Sequence, residues 1–170
     1  AVTVVVLAFL CASAAAAPQD PPPQDPVTAV YFTGVGCSHC ARVDPVLFQD
    51  WMQAYPELVV VEYEIFRQRE NGAVLLQFDE RYGTGTGVPL LFFSGGLSYA
   101  GDSAILAQTP GTMAKLRENR SLLAEDGIDI ASADIAALPG YPKIWHRERV
   151  LIKKGSGGET AILRTLLLSG

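Results

Sequence analysis

The pattern of apolar and polar positions predicts a strand that leads directly into a helix. Residues 27–33 are β-branched, aromatic or small and nearly all apolar, as expected of a buried central strand. Gly34 and Gly36 allow a tight turn after it. From Cys37 onward, apolar residues recur at three- and four-residue spacing, which predicts a helix of about 18 residues. Pro45 lies inside that helix and should kink it, because proline lacks the amide hydrogen.

The remaining pattern alternates between strands and helices. It predicts a strand over 58–66, a helix around 73–78 and a hairpin with strands at 90–93 and 97–100. From about residue 109 onward it predicts, in order, a helix over 113–124 begun by Thr109 and Pro110, an ambiguous alanine-rich stretch at 128–138, a hairpin over 143–154 and a helix over 160–168. The predicted class is therefore α/β, with an extra α-rich segment of about 60 residues that is either a C-terminal extension or an insertion.

The first 26 residues have the composition of a targeting segment and a linker. Residues 2–10 are apolar but too short to span a bilayer comfortably, and the small residues at 12–17 suit signal-peptidase cleavage. We therefore expect residues 1–17 to be a signal peptide that lacks its start, with Cys11 removed along with it. The proline-rich residues 18–26 are an expected extended linker, and residues 27–170 an expected single domain.

The net charge and the hydropathy of the chain argue against nucleic-acid binding and against a membrane-spanning helix. The formal net charge is −5, which argues against a nucleic-acid partner. No internal stretch reaches 18 apolar residues, so we expect no transmembrane helix within the chain. Together with the signal peptide, this predicts an extracytoplasmic protein, periplasmic or secreted, with membrane anchoring as an alternative. We expect a monomer without a cofactor.

The chemistry is concentrated in Cys37-Ser38-His39-Cys40, at the junction of the predicted strand and helix. Two cysteines separated by two residues can form a redox-active disulfide, a structural disulfide or half of a metal site. The position favours redox chemistry, because the amides and positive dipole end of a helix N-terminus stabilise a thiolate. An imidazolium at His39 would add to that effect. A metal site would need further ligands, and His39 and His146 are the strong nitrogen donors on offer.

These residues resemble the thioredoxin superfamily. Its members have this strand, a Cys-x-x-Cys at the start of the next helix, and often a proline five residues beyond the second cysteine, where Pro45 stands. They also have a cis-proline loop that faces the cysteines and is followed by a strand, a turn and a strand, as Val88-Pro89 and residues 90–100 are here. The resemblance covers roughly residues 27–107 and implies a thioredoxin-like fold, a mixed sheet flanked by helices.

The resemblance implies roles for the site residues. Cys37 would be the nucleophile, Cys40 the resolving cysteine and His39 a residue that tunes the thiolate. Substrate would contact the residues around the cysteines and the cis-proline loop, which are Gly36, Ser38, Val88 and Pro89. No residue is expected to bind a metal.

Two departures from the family pattern matter. Tyr31 stands where thioredoxin has a buried Asp, and Gly36 stands where it has a Trp. Asp44 and Glu62 are the alternative proton acceptors for Cys40, although Asp44 is expected to be only a surface charge. The Ser-His pair resembles protein disulfide isomerases and periplasmic oxidases, in which such a His favours the reduced thiolate and makes the disulfide more oxidising.

The resulting expectation is thiol-disulfide exchange with protein thiols and disulfides, leaning to oxidase or isomerase. A membrane-embedded redox partner is a further candidate. Two alternatives stay open: an electron-delivering reductase domain of a truncated membrane protein, and a non-enzymatic thioredoxin-like module that binds metal or a partner.

Overall fold

A six-stranded mixed sheet organises the computed structural model, which describes residues 26–93, 97–119, 138–147 and 149–153. The strand order is β4-β3-β1-β2-β5-β6. β1 and β2 are parallel, and every other neighbouring pair is antiparallel. The strands are β1 (Val27–Thr33), β2 (Leu58–Glu64), β3 (Leu90–Phe93), β4 (Ser98–Ala100), β5 (Lys143–His146) and β6 (Arg149–Lys153).

Helices cover both faces of this sheet. One run of helix follows β1, a second helix precedes β3, and a third follows β4. They are α1 (Cys40–Pro45) continuing as a π-helix (Val46–Trp51) and α2 (Met52–Ala54), then a 3₁₀ turn (Arg69–Asn71) leading into α3 (Gly72–Tyr82), and α4 (Asp102–Glu118).

Each face of the sheet has its own apolar core. On one face, α3 contributes Val74 and Leu75 to a cluster with Phe32, Tyr63 and Phe92. On the other face, α1, the π-helix and α4 pack against β1, β2 and β3, with members that include Val43, Leu47, Trp51, Ile105, Met113 and Leu116. Because β1 is buried on both faces, its nearly continuous apolar pattern is explained. The predicted α/β class and thioredoxin-like arrangement are confirmed.

The helix after β1 begins later than predicted. Its first residue is Cys40 and its last Ala54, whereas the apolar spacing predicted a start at Cys37. A turn over residues 34–37 precedes the helix. In it Gly36 has a φ of +90°, and the Cys37 amide donates to the Gly34 carbonyl. The hydrogen-bonding pattern changes from α to π directly after Pro45, where the amide hydrogen is missing.

The helix predicted over 113–124 is present, but it begins earlier and ends earlier than predicted. α4 begins at Asp102 and ends at Glu118, and Pro110 lies inside it. An interior proline costs roughly 3 kcal/mol of helix stability, whereas the first turn of a helix tolerates proline. Pro110 was therefore expected to lie at the start of a helix. The cost is offset by packing, because α4 buries Ile105, Met113 and Leu116 against the sheet.

The predicted hairpin over 143–154 is confirmed as β5 and β6, and it extends the sheet beyond β2. Three hydrogen bonds join the segment before it to the end of β2 through Asn71, whose side chain bonds Glu64 and Tyr141. The predicted leader, the linker up to residue 25, residues 128–137 and the helix over 160–168 lie outside the described residues. Within the described part, no helix is long and apolar enough to cross a membrane.

Candidate functional site

Cys37 and Cys40 form a disulfide at the start of α1, with their Cα atoms 5.2 Å apart. Cys40 is 1% exposed, while Cys37 is partly exposed beside the exposed residues Ser38 and His39. The two sulfurs therefore differ in access. A thiolate arriving from solvent can reach Cys37, whereas Cys40 is shielded beneath it.

The backbone around Cys37 favours negative charge on its sulfur. The Cys40 amide donates a hydrogen bond to Cys37 Sγ at 3.1 Å, and the Ala41 amide donates to the Cys37 carbonyl at 3.0 Å. Cys37 therefore lies at the amino end of α1, where unpaired amides and the helix dipole stabilise an anion. This geometry favours a thiolate at Cys37 in the reduced protein.

The loop of Val88 and Pro89 faces the cysteines. The peptide bond between them is cis, and the Val88 carbonyl oxygen lies 3.9 Å from Cys37 Sγ. Pro89 is buried and Val88 partly buried. The Gly101 amide donates to the Pro89 carbonyl at 2.8 Å, which ties this loop to the start of α4.

His39 is paired with an aspartate that lies 63 residues further along the chain. His39 Nδ1 lies 3.0 Å from Asp102 Oδ1, and the Arg42 guanidinium lies 2.6 Å from Asp102 Oδ2. The Asp102 side chain is 7% exposed, against 63% for His39 and 61% for Arg42. This ion cluster of His39, Arg42 and Asp102 joins the start of α1 to the start of α4.

A second polar group lies on the opposite side of α1, between the helix and β1. The Tyr31 hydroxyl donates to Asp44 Oδ1 at 2.7 Å, and the Thr33 hydroxyl lies 3.4 Å from the same oxygen. Asp44 is therefore half-buried, and its expected role as a surface charge was wrong. Burial raises the pKa of Asp44 above its ordinary value, against the hydrogen bonds of Tyr31 and Thr33.

Glu62, the other predicted acceptor, is already engaged. Its carboxylate accepts hydrogen bonds from Lys143 Nζ at 3.2 Å and from Trp145 Nε1 at 2.6 Å. The indole of Trp145 also packs against Phe48, with ring centroids 4.5 Å apart. Glu62 thus joins β2 to β5 through both of its carboxylate oxygens, whereas the two bonds from Tyr31 and Thr33 both end on Oδ1 of Asp44.

Glu64 organises the loops beside the cysteines. Its carboxylate accepts hydrogen bonds of 2.9 to 3.0 Å from four backbone amides, those of Val35, Phe66, Arg67 and Gln68. Burial alone would raise the pKa of Glu64, but these four bonds hold it below its ordinary value. The Phe66 ring covers Gly34 so closely that a Cβ there would lie 2.6 Å from it.

The structure thus brings all seven predicted site residues together in two segments: residues 36–40, which run from the turn after β1 into α1, and the Val88–Pro89 loop, whose Val88 carbonyl oxygen lies 3.9 Å from Cys37 Sγ. Sequence reasoning missed Asp102, although an acidic residue directly after Gly101 is a recognisable helix-start signal. It also missed the partner of Tyr31, although a tyrosine in a buried strand needs one for its hydroxyl. In the described residues, no group of three or more His, Cys, Asp or Glu side chains could hold a metal ion.

Comparison with known proteins adds no relative. No family model, curated protein or solved structure matches this chain.

Proposed function

We propose that this protein is a member of the thioredoxin superfamily that catalyses thiol-disulfide exchange on protein substrates through Cys37 and Cys40. The observation that carries the proposal is the asymmetry of the pair. A partly exposed sulfur at a helix start is bonded to a buried one, and a cis-proline loop lies 3.9 Å from the exposed sulfur. A purely structural disulfide would need neither the unequal access nor the facing loop.

The oxidising reaction proceeds in two exchanges. A substrate thiolate attacks Cys37 Sγ, the bond between Cys37 and Cys40 breaks, and Cys40 leaves as a thiolate that takes up a proton. A second substrate thiolate then attacks the substrate sulfur of the mixed disulfide, and Cys37 leaves as a thiolate. Two electrons pass from the substrate dithiol to the pair. In the reducing direction the same steps run backwards, with Cys37 as the nucleophile and Cys40 as the resolving thiol.

Two parts of the site support these steps. The helix N-terminus and the Cys40 amide stabilise the Cys37 thiolate as a leaving group. Asp44 is our candidate for the group that gives a proton to the Cys40 thiolate in the oxidising direction and accepts it in the reducing direction, because it lies one helical turn further along α1 and burial raises its pKa. The Tyr31 hydroxyl, which stands at the position of thioredoxin's buried Asp, holds that carboxylate by a hydrogen bond.

The substrate is a polypeptide in extended conformation. The exposed residues Gly36 and Ser38 and the Val88 backbone border Cys37, so a chain lying across them would form main-chain hydrogen bonds of the β-addition type. The disulfide and the predicted signal peptide support an extracytoplasmic location, where disulfides persist. The Ser-His pair supports the oxidising direction.

Equilibration with glutathione, followed by quantification of the dithiol and disulfide forms, tests the proposal. We expect a reversible couple with a reduction potential of about −120 to −180 mV, the range from bacterial disulfide oxidases to protein disulfide isomerase. A value of about −270 mV, near that of thioredoxin, would instead identify a reductase. A pair that exchanges with neither reduced nor oxidised glutathione would refute the exchange function.

A further inference from the structure

Within the part of the chain that the structure describes, Asp102 contacts both His39 and Arg42, two side chains at the start of α1. His39 Nδ1 lies 3.0 Å from one of its carboxylate oxygens, and Arg42 lies 2.6 Å from the other. His39 is the residue between the two cysteines, and Arg42 lies two residues beyond Cys40. The carboxylate therefore contacts both the residue between the two cysteines and a cation in the first turn of α1.

The fold keeps Asp102 in this position and in its charged form. Asp102 is the first residue of α4, and the Gly101 amide before it is hydrogen-bonded to the Pro89 carbonyl. Burial opposes ionisation, but hydrogen bonds from His39 and the Ser103 amide and the charge of Arg42 hold the pKa of Asp102 below its ordinary value.

We propose that Asp102 is a positioning residue that lowers the reduction potential of the Cys37–Cys40 pair by holding His39 in place and neutralising the charge of Arg42. This inference rests on the exchange function proposed above and adds to it a residue that sets the reduction potential of the cysteine pair. The family resemblance assigned the tuning of the thiolate to His39 alone. The geometry assigns it to a cluster in which the buried Asp102 carboxylate contacts both His39 and the Arg42 cation.

The sign of the effect follows from the charge of the cluster. In the reduced protein a thiolate at Cys37 is stabilised by nearby positive charge, which favours the dithiol form and raises the potential. Replacing Asp102 by Asn removes one negative charge. For either charge state of His39, the cluster then carries one more positive charge than before. The loss of Asp102 therefore makes the disulfide a stronger oxidant.

The test compares Asp102→Asn with the unaltered protein in glutathione buffers at pH 7 and low ionic strength. We expect the equilibrium to shift at least threefold toward the dithiol form, because uncompensated charge near a thiolate acts with little screening at low salt. Arg42→Gln removes a cation from the same cluster and should shift the equilibrium in the opposite direction. Asp50→Asn is the matched control, since Asp50 is exposed on the π-helix after Pro45 and changes the net charge equally.

Two further readouts separate tuning from a structural role. At 0.5 M salt the shift should shrink, because His39 and Arg42 are largely exposed and their charges are screened. Asp102→Asn should also destabilise the disulfide form more than the dithiol form in thermal unfolding. Equal destabilisation of both forms with an unchanged equilibrium would reduce Asp102 to a helix-start residue and overturn the proposal.

The failures of the two proposals are distinguishable. If the unaltered protein exchanges with glutathione but Asp102→Asn stays within twofold of it, or shifts toward the disulfide, only the role of Asp102 is refuted. If the unaltered protein does not exchange, the exchange function itself fails and the role of Asp102 fails with it.

Discussion

The Tyr31 hydroxyl donates a 2.7 Å hydrogen bond to Asp44 and thereby joins the central strand to the helix that begins at Cys40. The Tyr31 ring is fully buried, and it meets the Phe48 ring edge-on with centroids 5.8 Å apart. The Asp44 carboxylate is thus held in the partly buried space between helix and sheet, where its charge is costly. A polar pair retained at such a position is expected to serve chemistry more than stability.

We expect Asp44→Asn to stabilise the protein at pH 7. A carboxyl group whose pKa is raised in the folded state contributes stability below its unfolded pKa, and that stability is lost as the pH rises through the raised value. The amide oxygen of Asn can still accept from Tyr31 without a charge. The gain is roughly 0.5 kcal/mol, because solvent screens the half-exposed carboxylate. Urea unfolding at pH 7 and below pH 4 measures it.

The gain should shrink as the pH falls and vanish well below 3.8, the ordinary pKa of an aspartate, where residue 44 is neutral in both proteins, folded and unfolded. The exposed Asp50→Asn is the control and should show no such pH dependence. A variant that is less stable than the unaltered protein at pH 7 would contradict the assigned desolvation cost. If Asp44 is also the proton acceptor, the same variant should slow the step at Cys40 on the order of 10- to 100-fold.

We expect Cys40→Ser to stop the reaction at the mixed disulfide. The aromatic disulfide DTNB reports this directly, because each exchange releases one coloured thiolate. With Cys11 replaced by Ser in every variant, the reduced protein that keeps both Cys37 and Cys40 should release two per chain and end as the Cys37–Cys40 disulfide, since the second cysteine resolves the adduct. Cys40→Ser should release one and keep the adduct on Cys37, as mass spectrometry would show.

The exposure of the two sulfurs supplies the control for this experiment. In Cys37→Ser the remaining thiol is 1% exposed, so its reaction should be at least tenfold slower than that of Cys37 in Cys40→Ser. Equal rates for the two variants would remove the assignment of Cys37 as the nucleophile.

We expect Glu64→Gln to loosen the loops beside the cysteines. The carboxylate accepts from four amides, whereas a glutamine has one acceptor oxygen and an amino group that cannot accept. The loss is about 1 to 2 kcal/mol of unfolding free energy. Hydrogen exchange should accelerate at Val35 and at 66–68.

The pH dependence of this loss has a definite sign. The pKa of Glu64 is lowered in the folded protein, so its contribution is present above the unfolded pKa and disappears as the pH falls through the folded value. The difference between the two proteins should therefore shrink in acid. The exposed Glu80→Gln on α3 is the control, and matching exchange rates in both variants would argue against the role of Glu64.

We expect Asn71→Ala to cost about 2 to 4 kcal/mol of unfolding free energy. Asn71 is 0% exposed, and its side chain bonds the Glu64 carbonyl and both backbone polar groups of Tyr141. Alanine would leave those groups without their partner in the interior. Chemical denaturation measures the loss, and the exposed Gln53→Ala should stay within about 0.5 kcal/mol of the unaltered protein. A loss below 1 kcal/mol would show that water replaces the side chain.

Gly140→Ala tests the same junction from the other side. A Cβ there would lie 2.6 Å from Asn71 Oδ1, and Gly140 has a φ of +67°, a conformation that side chains disfavour. This substitution should also destabilise the protein. Because the two residues are neighbours, the double variant should lose less than the sum of the single losses.

The sequence by itself determined the features that depend on a few neighbouring residues. The buried strand at 27–33, the hairpin over 143–154 and the Cys-x-x-Cys at a strand-to-helix junction follow from side-chain periodicity and turn residues. These local signals also predicted the α/β class. The resemblance to the thioredoxin superfamily implied that the loop of Val88 and Pro89 faces the cysteines, and the Val88 carbonyl oxygen lies 3.9 Å from Cys37 Sγ.

Only the tertiary structure decided which side chains far apart in the sequence form ion pairs or hydrogen bonds with one another. Asp102 lies 63 residues from His39, and its pairing depends on how α4 packs against the sheet. That packing also offsets the cost of Pro110, so the helix begins at Asp102 and continues through the proline. Asp44 is half-buried rather than exposed, because it accepts a hydrogen bond from the buried Tyr31 hydroxyl between the helix and the sheet. Propensity acts over a few residues, whereas burial and pairing are set by contacts between segments far apart in the chain.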